Sequence, residues 1–183
     1  MRTTALVLKL LLFGYLGYLL FFLATGYEPA RRPFNPPFVI FVIDTIDLYI
    51  HEAGHFVLKP FGRFIEILGG SLFQCLVPLA LVLVSWRQNV TTVPYGLFWL
   101  GENLVNVSVY IKDAPYKQLH LIASGLIHDW NWLLNGDPDV AEPLGTIVFL
   151  VGILACVGAI GLGFWFSVRT YREVDALPVE RSP

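Results

Sequence analysis

Charge is what this chain has least of. Asp, Glu, Lys and Arg make up 14% of its 183 residues, where a soluble domain carries roughly 25%. Hydrophobic residues make up 56%, so an ordinary water-facing domain is excluded and lipid is the expected solvent for most of the surface. No basic run occurs and the formal net charge is -2, which gives no reason to expect a nucleic-acid partner. Cysteine is equally sparse. Cys75 and Cys156 both lie inside apolar segments; they read as small buried thiols and say nothing about redox compartment. Internal repeats and low-complexity stretches are absent, so the whole chain, 1–183, reads as one integral-membrane domain.

What is present is a series of long apolar windows. A spanning helix needs about 20 mainly apolar residues, and the windows 5–24, 38–58, 68–86, 95–111 and 144–168 meet or approach that length. The expectation is an all-α, multi-pass membrane protein with about five transmembrane helices in a lipid bilayer. The first window opens with Met1-Arg2, as a signal peptide does. Its apolar part is longer than the usual 7–15 residues of a signal core and no clear cleavage site follows, so it reads as a retained helix. Alternating crossings place Arg2, Lys9, Lys59, Arg63, Lys112 and Lys117 on one side. Arg31, Arg32, Arg87, Arg169, Arg172 and Arg181 fall on the other. Six against six leaves the positive-inside rule without a direction.

The second window carries the chemistry. His51-Glu52-Ala53-Gly54-His55 places two imidazoles four residues apart, on one face of a helix and near enough to share a metal. Glu52 stands beside them, where a carboxylate can take a proton from water. Ionisable residues inside a span are costly and by default mark function. Asp44 and Asp47 extend the same polar stripe at helical spacing. They read as groups that orient an imidazole or line a hydrated path to the metal.

A catalytic zinc usually takes a third protein ligand. The histidines lie near the C-terminal end of the second window, and the fourth window runs parallel to it. Asp113, just past the fourth window, is therefore expected on the same side, together with His120, His128 and Asp129. His120 reads as structural. The His128-Asp129 pair would sit at the rim of the site as a ligand, a supporting partner or a transition-state donor. Within the fourth window Asn103 and Asn106 share a face. They would either bond neighbouring helices or hold a peptide by its backbone, and Glu102 ranks below them as a site residue. Beyond Asp113, the residues Leu119, Ile122, Leu126, Ile127, Trp130, Leu133 and Leu134 recur at near-helical spacing. With Trp130 and Trp132 they predict an interfacial helix over 116–134.

From Ile50 to Asp113 these features resemble the site-2 protease family of intramembrane zinc metalloproteases. The likeness rests on His-Glu-Ala-Gly-His within a membrane helix and a break at Lys59-Pro60-Phe61-Gly62. It continues with a strand-like stretch over 63–70, a new span, and a later span with an Asn-rich turn ahead of an aspartate. The resemblance implies that His51 and His55 bind zinc and that Glu52 is the catalytic base. It puts Asp113 in the place of the third ligand, with His128 as the alternative. It also implies a membrane-edge strand that pairs with an unwound peptide substrate. The residues around Asp113, Ile111-Lys112-Asp113-Ala114-Pro115, lack the glycine and preceding prolines of the family's pattern. The function expected is hydrolysis of a peptide bond in or near the bilayer, the partner being a peptide or membrane-protein substrate. Two other expectations remain: a non-catalytic metal-binding protein that interacts with or regulates others, and an ion-pathway component of a transporter.

Overall fold

A computed structural model describes residues 2–120 and 126–175. Its described residues form six α-helices and no strand: α1 (Arg2–Thr25), α2 (Phe38–Leu58), α3 (Arg63–Gln88), α4 (Val93–Lys112), α5 (Asp129–Leu134) and α6 (Pro138–Asp175). Three stretches are long and apolar enough to cross a membrane, Thr3–Thr25, Arg63–Gln88 and Pro138–Arg172. The chain is thus all-α, with three candidate spans. The other long helices, α2 and α4, have 21 and 20 residues. They carry the acidic groups Asp44, Asp47, Glu52 and Glu102, most of them turned into the bundle.

Local chemistry sets the helix ends. Pro36 and Pro37 cannot continue a helix behind them, and α2 begins directly after Pro37. At the other end Gly62 takes φ +95°, a left-handed conformation that a side chain would resist. That turn reverses α2 into α3 as a helical hairpin. Asn89 caps the turn before α4 by accepting the Thr91 N–H at 3.1 Å. Pro138 opens α6 where its missing N–H is no loss.

The stretch 63–70 is helix, not the expected strand. Its alternating apolar residues suit a strand, but Glu66 N donates to Gly62 O at 2.9 Å and starts the helix at once. An Arg63–Glu66 ion pair at 3.1 Å supports that first turn. The paired glycines Gly69 and Gly70, within that stretch, form a packing face. A Cβ on Gly69 would meet the Gly54 carbonyl at 2.9 Å, and one on Gly70 would strike the His51 ring. Small residues let membrane helices approach this closely. The same device joins α4 to α6, where a Cβ on Gly101 would meet Cys156 Sγ at 2.6 Å.

Among the described residues of the expected helix over 116–134, only 129–134 are helical, as α5. The Asp113 carboxylate accepts the backbone N–H groups of Gln118 at 2.8 Å and Leu119 at 3.0 Å, which winds this segment into a turn. Ile122 lies outside the described residues. Helix α4 runs through the middle of the bundle. Its buried residues, from Val93 to Ile111, occupy more than one face, so its polar groups meet α2 and α3 rather than lipid.

Candidate metal centre

Helix α2 presents His51 and His55 one turn apart, with ring centroids 4.8 Å apart and the planes nearly perpendicular. The carboxylate that meets them is Asp129, at the first position of α5. Its Oδ2 lies 2.8 Å from His51 Nε2 and 3.2 Å from His55 Nε2. One ligand atom from each of the three residues lies within 4.8 Å of the other two, an arrangement able to hold a metal ion. Two imidazoles and a carboxylate are a donor set that suits zinc.

The hydrogen bonds on the far side of each ring test that fit. His55 Nδ1 lies 2.8 Å from the Glu66 carbonyl, which can only accept. Nδ1 therefore carries the proton, and the lone pair of the neutral ring sits on Nε2. For His51 the same conclusion follows through a longer chain. Asn106 Nδ2 donates to Asp44 Oδ1 at 3.1 Å and to the Tyr27 hydroxyl at 2.7 Å. Tyr27 in turn donates to Asp44 at 2.7 Å. With Asp44 ionised its carboxylate only accepts, and the Asn106 amide then has one orientation, with its oxygen facing Gln74. Gln74 Nε2 then donates to that oxygen at 3.0 Å, and Gln74 Oε1 faces His51 Nδ1 at 3.0 Å. His51 Nδ1 must donate, so its Nε2 also presents a lone pair. Two lone pairs aimed at one carboxylate oxygen repel unless a cation or a proton lies among them. The chemistry of this donor set fits zinc, with partners on both rings of the kind that orient metal-binding histidines.

Asp113 and His128, the two candidates for the third ligand, are placed elsewhere. They bond to each other, His128 Nε2 to Asp113 Oδ2 at 3.0 Å. His128 Nδ1 accepts from Asn131 N at 3.2 Å, which leaves the proton on Nε2. Asp113 is thus already engaged by two backbone amides and an imidazole. Its effect on the centre is to hold His128, and so to deliver the next residue, Asp129, to the histidines. Further bonds steady that delivery. Asp129 N donates to the Tyr110 hydroxyl at 3.1 Å, Trp130 Nε1 to Ser71 Oγ at 3.0 Å, and Asn131 Nδ2 to the Ala114 carbonyl at 2.8 Å. With protons rather than a metal among these atoms, burial pushes the Asp129 carboxyl upward, but hydrogen bonds from the protonated His51 and His55 rings, with their charge, outweigh it. The carboxyl ends below its ordinary value.

The centre borders a cavity of about 560 Å³. Glu52 is half-buried and lines it, as do Tyr110, His120 and Asp44. Asp47, Glu102 and Asn103 do not line this cavity and gather between α2 and α4, with Asp47 Oδ1 accepting from Trp99 Nε1 at 2.9 Å. Sequence reasoning passed over Gln74, Tyr27, Tyr110 and Trp99. For Gln74 a signal existed: it is a lone amide in the apolar run from Ile67 to Trp86, where an unpaired amide would be costly. No protein-family model matches the chain, and neither does any curated protein or solved structure.

Proposed function

We propose that this chain is a membrane-embedded zinc metalloprotease that hydrolyses peptide bonds in or near the bilayer. One observation carries the reading: Nδ1 of both histidines faces an acceptor, so both Nε2 lone pairs converge on Asp129 at the edge of a cavity that Glu52 also lines. In this reading α2 and α4 cross the membrane beside the three apolar spans, their acidic groups shielded by the bundle. The likeness of the α2 motif to the site-2 protease pattern supports the same reaction.

His51, His55 and Asp129 would hold the ion. Zinc, when bound, supplies Lewis acidity at the scissile carbonyl and makes water acidic near neutral pH. Glu52 removes a proton from the attacking water and passes it to the departing amine. Gln74 and the Glu66 carbonyl keep the imidazole protons on Nδ1. Asp113 and His128 hold Asp129 in place. A substrate helix has to unwind before its carbonyls are available, because within a helix they are already hydrogen-bonded.

The test pairs two measurements on purified protein, zinc content and cleavage of a membrane-peptide substrate. Glu52→Gln is expected to keep its zinc and lose cleavage. Cleavage at the wild-type rate in that variant would remove Glu52 from the reaction, and no cleavage by zinc-loaded wild type would leave a metal-binding protein without a hydrolytic role. Absence of zinc in the wild type, purified without chelator, would remove the metal reading altogether.

A further inference from the structure

Tyr110 stands near the end of α4 with its ring held between two imidazoles, its centroid 5.8 Å from that of His51 and 4.4 Å from that of His128. Its hydroxyl oxygen accepts the backbone N–H of Asp129 at 3.1 Å. A phenol hydroxyl has a proton to give as well as lone pairs to accept with. Here a lone pair is taken, and among the described residues the proton has no acceptor. The side chain is half-buried and lines the same cavity as His51, Glu52, His55 and Asp129. The hydroxyl is thus tied to the residue whose carboxylate meets both histidines, with its O–H free beside the space a substrate would fill.

Other side-chain donors around the cavity already have acceptors. Asn106 donates to Asp44 and Tyr27, Tyr27 to Asp44, Gln74 to Asn106, and Arg63 pairs with Glu66. His120 is the exception, but it is exposed, and among the described residues no bond or ring contact fixes it. Glu52 also has no partner among the described residues, and an ionised carboxylate can only accept. Beside the histidine centre the cavity therefore offers one free acceptor and one free donor that is held in place. Addition of water to a carbonyl needs both, an acceptor for the water's proton and a donor for the charge that develops on oxygen.

We propose, resting on the hydrolytic reading above, that Tyr110 is a catalytic residue whose hydroxyl donates to the oxyanion formed when water adds to the scissile carbonyl. In that addition the water oxygen bonds to the carbonyl carbon and the π pair moves onto the carbonyl oxygen, while Glu52 takes the water's proton. The Tyr110 O–H meets the new negative charge and keeps its own proton throughout. On collapse the pair re-forms the C=O bond, the C–N bond breaks, and the leaving nitrogen takes the proton from Glu52. An oxyanion accepts a hydrogen bond far more strongly than a neutral carbonyl, so the contact favours the transition state over the bound substrate. The ring clamp and the Asp129 amide fix the donor beforehand, so nothing has to reorganise as the charge appears.

The test compares wild type with Tyr110→Phe, full chains in detergent micelles at saturating zinc. Tyr110→Phe is expected to lower kcat about 100-fold with KM near wild type, the low end for loss of one such donor. A second readout needs no turnover. A phosphinic peptide, whose tetrahedral centre carries a charged oxygen in the oxyanion's place, should bind Tyr110→Phe about 100-fold more weakly. The substrate peptide itself should bind equally to Glu52→Gln and to the double variant Glu52→Gln/Tyr110→Phe. Replacing Tyr110 with 3-fluorotyrosine keeps the hydroxyl and makes it more acidic; at a pH where it stays protonated, the phosphinic peptide should bind more tightly. Wild-type kcat in Tyr110→Phe, or phosphinate binding indifferent to both substitutions, overturns the proposal and leaves the hydrolytic reading standing. No cleavage by zinc-loaded wild type overturns both. A loss of kcat that disappears as zinc is raised would make Tyr110 a positioning residue for Asp129 and overturn its role as donor.

Discussion

Two buried polar clusters lie along α2, and they differ in how their hydrogen bonds close. Around His51 and His55 the imidazole protons have acceptors, the amides that support them have fixed orientations, and what converges is a set of lone pairs. Around Asp47 and Glu102 acceptors outnumber donors, and oxygens are left bare. Both patterns ask for a positive charge, but of different kinds. Nitrogen lone pairs with one carboxylate suit zinc, whereas neighbouring buried carboxyls are eased by a shared proton. The difference teaches that a polar stripe on a membrane helix need not be one site. Asp44 and Asp47 belong to the same stripe, three residues apart, yet Asp44 supports His51 and Asp47 faces Glu102.

The largest effect that would sharpen this contrast is chemical. Glu52→Gln should lower the cleavage rate about 10²–10⁴-fold with zinc content unchanged, whereas Glu102→Gln should leave both near wild type. Rate assays beside metal analysis decide it; equal losses in the two variants would merge the clusters into one machine. Next comes the ligand itself. Asp129→Ala should weaken zinc binding by more than about 100-fold, and Asp113→Asn, acting only through His128, by about 10–100-fold. Chelator competition measures both, and the reverse order would restore Asp113 as the ligand.

Smaller effects probe the supports. Gln74→Leu removes the acceptor of the His51 proton and should weaken zinc by about 10-fold, the low end for partners of a metal-binding histidine. Gly70→Ala pushes on the His51 ring and should destabilise the fold by about 1–3 kcal/mol, read as a lower melting temperature. The smallest effect is that of Asp129 on pH dependence. Its native pKa is depressed, so the stability it gains from the histidines is full above the ordinary carboxyl value, near 3.9, and is lost as pH falls through the lower native value. Between pH 5 and 8 it should therefore contribute no slope. Zinc affinity should instead fall as acid puts protons on the imidazole nitrogens that would hold the ion. A titration midpoint near pH 4 would transfer control to the carboxylate.

Much of this was legible in the sequence because the physics was local. The bounds of α2 and the spacing of His51, Glu52 and His55 follow from apolar content, flanking prolines and helical periodicity. The two-sided layout of the spans also brought 113–129 to the histidines' side. Which side chain in that segment arrives was not legible. His128 and Asp129 are adjacent, and their aims are set by a turn that Asp113 ties through backbone amides, a contact no spacing reveals. The strand expected over 63–70 failed for a related reason. Glycines end strands in water, but between membrane helices they are contact surfaces, and only the facing residues Gly54 and His51 tell the two apart.

The chain from Asp44 through Asn106 and Gln74 to His51 also has a direction. Each amide could be turned around without any change of shape, and reversing both would hand His51 a donor where it now meets an acceptor. Only the terminal carboxylate, which cannot donate, forbids the reversed reading. Asp44 thus stores one binary choice and transmits it across three helices to a nitrogen it never touches. Replacing it with asparagine would keep every neighbour in place and erase the message, because either orientation would then be allowed.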